Sequence, residues 1–423
     1  MDGLVLEVAE LMERIMSGSW AKVIVLFAMM SGLCATAQPI TTAADQALPT
    51  PFDNGAAPVR VALLLPLRSP VFGAAADAVR SGFLTASERK RGNLIVTVIE
   101  TADAVPDVLA TYREAASQYD IIVGPLSRSA VTALAQSGSV ARPTIALVQP
   151  ELPDNSVQRV PPLMLMLGLS IEEEARQIAT WTEREKTPGK IFAISTNVAW
   201  QRRALKAFTQ EARHIGLSVE ELEVSVPNNV LSASGLAQLS QRIQAEKPAL
   251  LFVALDAGQT AQLRSAVGNE IPLYGTSQLN PLTWANASKP RPAPMPVADA
   301  NAITAPNATS VSAAADSRRP ELDGVRLVDL PWQLPGAQIG ALAYARPPAA
   351  SSPGSADLER LYALGIDAFR VADELAQQRI RFDLDGVTGQ LSVNMTPAVT
   401  YVQRREMQAV YQDGIVVPVS DQR

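Results

Sequence analysis

The sequence predicts an α/β protein built from two doubly wound lobes. Short, wholly apolar runs alternate with segments whose apolar residues recur every three to four positions, the pattern of parallel strands wrapped by helices. The alternation comes in two sets of about equal size, and 423 residues with 47% hydrophobic content supply each set with a core.

The chain opens on an export signal. Residues 23–30 read VIVLFAMM, short for a membrane span, with Lys22 before them and the A-x-A cleavage pattern Ala35-Thr36-Ala37 after them. Residues 1–37 are therefore expected to be a signal peptide, followed by a polar leader over 38–57. The acids Asp2, Glu7, Glu10 and Glu13 are unusual in such a position and point to Met12 or Met16 as the true start. Cys34, the only cysteine, offers lipidation as the alternative fate, which would attach the protein to the outer membrane. Leu33 stands where that processing needs a small residue, and Ser31 where Leu is usual, so ordinary cleavage and a thiol-free mature chain are expected.

Residues 59–65 (VRVALLL) read as a buried strand; Ala76, Val79 and Phe83 share a face of the helix after it, and residues 94–99 (LIVTVI) form the next strand. Asp103 is expected to cap a helix whose apolar positions Val105, Val108, Leu109, Tyr112, Ala115 and Ala116 follow the i, i+3, i+4, i+7 rule. Residues 121–123 are a third strand, Gly124-Pro125-Leu126-Ser127 turns into another helix, and 144–148 are a fourth strand.

The second set begins at Ser170, which with Glu173 fits a capping box for a helix running to about Lys186. Strand 190–194, helix 200–215, strand 218–224, helix 236–246, strand 249–254 and helix 258–267 complete it. Residues 285–319 are dominated by Ala, Pro, Ser, Thr and Asn without a period and are expected to be a disordered insertion. A strand at 325–330, a helix with Leu358, Leu361, Tyr362, Gly365, Phe369, Ala372 and Leu375 on one side, and a hairpin-like region (391–393, 409–417) close the chain. On this reading lobe 1 comprises 58–168 plus 320–380, and lobe 2 comprises 169–284 plus 381–423.

Several function classes are set aside. The formal charge is −6 and the 36 Lys and Arg residues form no dense run, so no nucleic-acid partner is expected. H-E-x-x-H, C-x-x-C, G-x-S-x-G and the phosphate-binding loop are all missing from the sequence, which points to no enzyme, no metal and no cofactor. The single histidine, His214, lies near a helix end, where it complements the dipole, and Glu172 to Glu174 sit in a first turn, where acids belong.

Five segments carry a family resemblance. They are Val61 to Leu67 with Arg80-Ser81-Gly82-Phe83; Ile122-Val123-Gly124-Pro125-Leu126; Ser170 to Ala179; Leu322-Asp323-Gly324-Val325-Arg326 with Leu330-Pro331-Trp332; and Asp385 to Leu391. Over 59–419 the chain resembles the type I periplasmic-binding-protein fold with its two Rossmann-like lobes, and within it the LppC/LpoA family of penicillin-binding-protein activators. The D-G-V-R segment with its following Pro-Trp discriminates best. The resemblance implies a chain that crosses between lobes three times and a periplasmic regulator whose partner is a class A penicillin-binding protein in peptidoglycan synthesis. Family activators often carry a helical-repeat domain before this fold; none is expected here, so roles that depend on it are not carried over.

A ligand site, if the lobes hold one, belongs where strand carboxyl ends face the inter-lobe cleft. Ser127 and Ser129 open a helix there and suit a carboxylate or other anion, though Ser127 equally suits simple capping. Gln149 follows the fourth strand, and the Leu147-Val148-Gln149 segment departs from the small hydroxyl or backbone donors of amino-acid-binding relatives. Asn197, Trp200, Asp256 and Gln278 follow strands of the second lobe. An aromatic ring with amides and a carboxylate suits a small polar ligand such as a sugar or peptide fragment, while the ordinary alternatives are a core role for Trp200 and an N-cap role for Asp256. The competing function is a solute-binding receptor of an ABC-type transporter.

Overall fold

The computed structural model describes residues 57–90, 93–151, 160–185, 188–288, 318–336, 344–347, 355–396 and 399–419. The expected signal peptide, Cys34, the leader to residue 56 and the expected insertion from 289 to 317 lie outside them. The helices are α1 (Gly73–Arg89), α2 (Val105–Gln118), α3 (Arg128–Gln136), α4 (Ile171–Arg184), α5 (Ala199–His214), α6 (Ala233–Glu246), α7 (Ala257–Val267), the single turn α8 (Trp284–Ala287) and α9 (Ser355–Ala376).

In lobe 1, β1 (Val59–Leu65), β2 (Leu94–Glu100), β3 (Ile121–Val123), β4 (Thr144–Ala146) and β5 (Met164–Met166) form a parallel sheet in the order β2-β1-β3-β4-β5. Strand alternation divides β1 between two cores: Val61, Leu63 and Leu65 face α1 and α9, whereas Ala62 and Leu64 face α2 and α3. Burial of each such leucine contributes about 2 kcal/mol. The helices α1 and α9 meet backbone to backbone, because a Cβ on Gly82 would lie 1.9 Å from the Tyr362 carbonyl and one on Gly365 2.1 Å from that of Val79. Phe83 and Phe369 close the contact edge to face at 5.4 Å.

In lobe 2, β6 (Ile191–Ser195), β7 (Val219–Glu223), β8 (Leu250–Val253), β9 (Leu273–Gly275) and β10 (Arg326–Asp329) run parallel, and the hairpin β14 (Met407–Gln412) and β15 (Ile415–Pro418) adds antiparallel to β10. Leu251 and Val253 face one core with α6 and α7; Leu250 and Phe252 face the other with α4 and α5, where Phe252 stacks on Phe208 at 3.9 Å. A third, antiparallel sheet of β11 (Arg381–Gly386), β12 (Gly389–Met395) and β13 (Thr400–Arg405) turns Leu391, Val393 and Met395 into the α1–α9 core of lobe 1.

Four local expectations change. The strand at 326–329, assigned to lobe 1, lies inside the lobe 2 sheet, because Leu327 and Val328 alternate into its two cores. Residues 381–405, assigned to lobe 2, complete the lobe 1 core, so 391–393 and 409–417 are parts of different sheets and form no common hairpin. Asp103 does not cap α2; Ala104 is its N-cap residue, and a proline in the first turn removes an N–H that would need a partner. Residues 285–287, expected in the insertion, complete the turn of α8, whose N-cap Thr283 accepts the Asn286 N–H.

Ser170 caps α4 through the Glu173 N–H, but Glu173 pairs with Arg176, so only one half of the expected box forms.

Candidate functional site

The expected cleft residues all follow carboxyl ends of parallel strands, and most are engaged locally. Ser127 is buried and its hydroxyl accepts the Ala130 N–H at 3.3 Å, an N-cap for α3; Ser129 is exposed in the first turn. Gln149 is half-buried and its amide reaches the Met166 carbonyl at 3.5 Å. Asp256 and Gln259 form a full capping box on α7. Asn197 is exposed in the β6–α5 loop, Trp200 is half-buried on the first turn of α5, and Gln278 sits in the 3-10 turn Ser277–Leu279. Among the described residues no hydrogen bond joins one of these seven to another.

What links the lobes near them is Glu172. Its carboxylate lies 3.9 Å from Arg128, the residue after Ser127, and 2.8 Å from Arg203, one turn beyond Trp200. Burial acts to raise the Glu172 carboxyl, but its own backbone N–H and the two guanidinium groups more than reverse that and hold it below the usual range. Behind this bridge Gln201 ties two strand-end loops together. It accepts from Thr196 N–H at 3.1 Å and donates to Gln259 at 2.8 Å.

The densest cluster of chemistry lies deeper, where the chain passes between lobes. The three crossings are residues 167–169 between β5 and α4, Leu330 after β10, and Glu406 between β13 and β14, as the resemblance implies. Asp329 is fully buried and receives Arg360 bidentately, Nε to Oδ1 at 3.1 Å and Nη2 to Oδ2 at 2.8 Å, with Asn280 Nδ2 and the Leu330 N–H also donating at 2.8 Å. Arg360 Nη2 reaches on to the carbonyls of Ser277 (3.1 Å) and Asn280 (2.9 Å). Glu174 accepts the Ser277 N–H at 2.8 Å and its hydroxyl at 3.0 Å. Arg404 donates to the carbonyls of Leu167 (2.5 Å) and Gly168 (3.0 Å), and Gln177 bonds both the Arg404 carbonyl and the Glu406 N–H.

The charges in this network do not balance. Glu174, Asp329 and Glu406 are all buried against Arg360 and Arg404, and Glu406 Oε2 finds no partner among the described residues. Burial, with the Asp329 charge adding to it and the Ser277 bonds opposing, pushes the Glu174 carboxyl up to about 7. Burial and the Glu174 charge raise Glu406 well above the carboxylate range against the pull of Arg404. Burial likewise acts to lower Arg360, but the Asp329 carboxylate overrides it and holds the guanidinium charged. Keeping one carboxyl of Glu174 and Glu406 protonated, the direction in which both are pushed, restores neutrality, the least costly state for buried ionisable groups.

Sequence reasoning missed this network. Glu174 read as a dipole-complementing acid, and Glu406 carried no signal. Two signals were available: Asp329 interrupts the apolar run 327–330 (LVDL), and Arg360 lies between Leu358 and Leu361 on a helix with an apolar side.

Comparison with known proteins follows the same span. Residues 54–414 match the family described as "LppC putative lipoprotein". A curated relative from Yersinia pseudotuberculosis, named penicillin-binding protein activator LpoA, is 25% identical over 434 residues that cover 86% of this chain and 62% of the relative. The activator of the same name from Vibrio cholerae is 28% identical over 365 residues, covering 80% of this chain and 55% of its own. The chain thus spans less than two thirds of these relatives. Full-length LpoA from Haemophilus influenzae superposes with a TM-score of 0.61 at 21% identity, over 85% of this chain and 58% of that one, a likeness of fold. A structure from Chromobacterium violaceum named as a "putative branched-chain amino acid ABC transporter" superposes at 0.62 with 31% identity, over 84% of this chain and 100% of that one.

Proposed function

The chain belongs to the LppC family, and from that premise we propose that it is a non-enzymatic periplasmic activator of a class A penicillin-binding protein, raising peptidoglycan synthesis. The observation that carries this reading is a family match running from residue 54 to 414, through both lobes, among relatives named penicillin-binding protein activators. The expected signal peptide supports export. The family description makes Cys34 the residue to test for acylation, by labelling with a fatty-acid analogue in wild type and Cys34→Ala.

The test is a pull-down of the purified protein against detergent-solubilised penicillin-binding proteins, with glycan polymerisation and crosslinking measured on whatever is recovered. Binding with a rise in either activity is expected. A folded protein that neither binds nor stimulates any of them overturns the reading.

A second reading, a solute-binding receptor of an ABC-type transporter, draws on the 31% identity to the Chromobacterium violaceum structure. Its ligand would be small and polar and would lie in the cleft near Ser127, Ser129, Gln149, Asn197, Trp200, Asp256 and Gln278. A thermal-shift ligand screen tests it; a hit whose affinity none of Trp200→Ala, Asp256→Asn and Ser127→Ala reduces would remove that site.

A further inference from the structure

A cavity of about 420 Å³ lies between α5 and the edge strand β7, and none of the expected cleft residues lines it. Its helical wall is one face of α5, with Arg202, Leu205, Lys206, Thr209, Gln210 and Arg213 recurring every three to four residues. Glu221 and Glu223 face them from β7, opposite Ala193 and Ser195 of β6 in the strand register. Val219, two residues earlier on the same face of β7, packs in the apolar core under α5, so the strand changes from apolar to acidic where the cavity opens.

The floor and the rim both hold unmet polar groups. On the floor, the hydroxyls of Ser195 and Thr209 have no hydrogen-bond partner among the described residues, although each residue is only 1% exposed. Buried hydroxyls are nearly always bonded, so two in one cavity mark a place where another molecule completes the bonding. On the rim, Arg213 is tied to Glu221 at 3.1 Å. Arg202 and Glu223 make no ion pair among the described residues, and Leu205 supplies apolar wall beside them; Leu222 lends only backbone, since its side chain turns through the sheet into the other core.

A cation and a carboxylate without ion pairs among the described residues, two waiting hydroxyls and one leucine in one small cavity describe the complement of a zwitterion with an apolar group. We propose that this cavity binds a free α-amino acid, its carboxylate toward Arg202, its ammonium toward Glu223 and its side chain against Leu205. Charge-assisted hydrogen bonds at the two ends fix the orientation, and the Ser195 and Thr209 hydroxyls serve the carboxylate. The site is independent of the activator reading, since it requires no penicillin-binding protein.

The experiment is calorimetric titration of the full chain with leucine of either hand, N-acetylleucine, which lacks the ammonium, and leucinamide, which lacks the carboxylate. Leucine is expected to bind saturably and each derivative about ten-fold or more weaker, the scale of one charge-assisted bond. Arg202→Gln and Glu223→Gln, both at exposed positions and checked for wild-type melting, are each expected to weaken leucine by a similar factor, and Thr209→Val by less. Absence of saturable binding to any probe overturns the proposal. So does leucine binding that both Gln variants leave intact, which would place the amino acid in the inter-lobe cleft, and so does equal affinity for N-acetylleucine.

Discussion

The unbalanced charge between the lobes makes stability fall as the pH rises toward neutrality. Glu174 has its carboxyl held up to about 7 in the folded protein against an ordinary value of 4.5. Between those values the folded chain binds more protons than the unfolded one, so linkage makes unfolding easier with each rise in pH. The stabilising difference is complete below 4.5 and is lost as the pH passes 7. Over that interval it amounts to roughly 3 kcal/mol, with a slope approaching about 1.4 kcal/mol per pH unit. Glu406 is raised in the same direction, in part by the Glu174 charge, so the two titrate interdependently and the loss is broadened more than doubled. Urea unfolding followed by tryptophan fluorescence at pH 5, 6, 7 and 8 measures the slope. Glu174→Gln should flatten it and raise stability at pH 8, because a Gln side chain can keep both Ser277 bonds without a charge. Wild-type stability that is constant or rising across this window, or a Gln variant that keeps the wild-type slope, would refute the argument.

Three further outcomes follow from the same contacts. Arg360→Met leaves Asp329 buried with only Asn280 and Leu330 as donors and should cost about 3–5 kcal/mol in denaturant unfolding, a loss that adding Asp329→Asn partly recovers. Gly365→Ala drives a Cβ to 2.1 Å from the Val79 carbonyl and should cost about 3 kcal/mol or more, whereas Gly138→Ala, with nothing within 4 Å and only its φ of +66° to strain, should cost about 1 kcal/mol. Glu172→Gln should lose about 1 kcal/mol at neutral pH by the same measurement. Because the Glu172 carboxyl is held below 4.5, that difference should disappear as the pH falls under its folded value, the opposite direction to Glu174.

The order of layers was legible because periodicity reports which face of an element is buried. The run 59–65 is apolar at every inward position on both faces, and it became the strand with helices on each side. Periodicity does not report which sheet an element joins. The strand β10 and the β11–β13 sheet were exchanged between lobes because their apolar residues fit either core equally well on paper, and only the crossings decide. Capping was partly legible: Ser127 and Asp256 do cap, as the ordinary alternative for each held, while Asp103 does not. The crossing network was illegible as a whole because its members, Glu174, Asp329, Arg360, Arg404 and Glu406, come from α4, β10, α9 and the β13–β14 junction, and charge pairing at long separation leaves no local pattern.

That network also bears on which of the two functional readings the fold suits. A hinge that opens and closes around a ligand needs crossings whose backbone bends at little cost. Here Arg404 clasps two carbonyls on the first crossing, while Arg360, rooted in a lobe 1 helix, clasps Asp329 at the second crossing and carbonyls of lobe 2. Each such charged bond is worth about 1.5–3 kcal/mol, so a rotation that broke even two would cost more than the roughly 1–3 kcal/mol by which a bound ligand ordinarily couples one site to another. The lobes are therefore braced against one another through buried charge. A braced pair of lobes suits a surface that docks on a partner better than a jaw that closes on a solute.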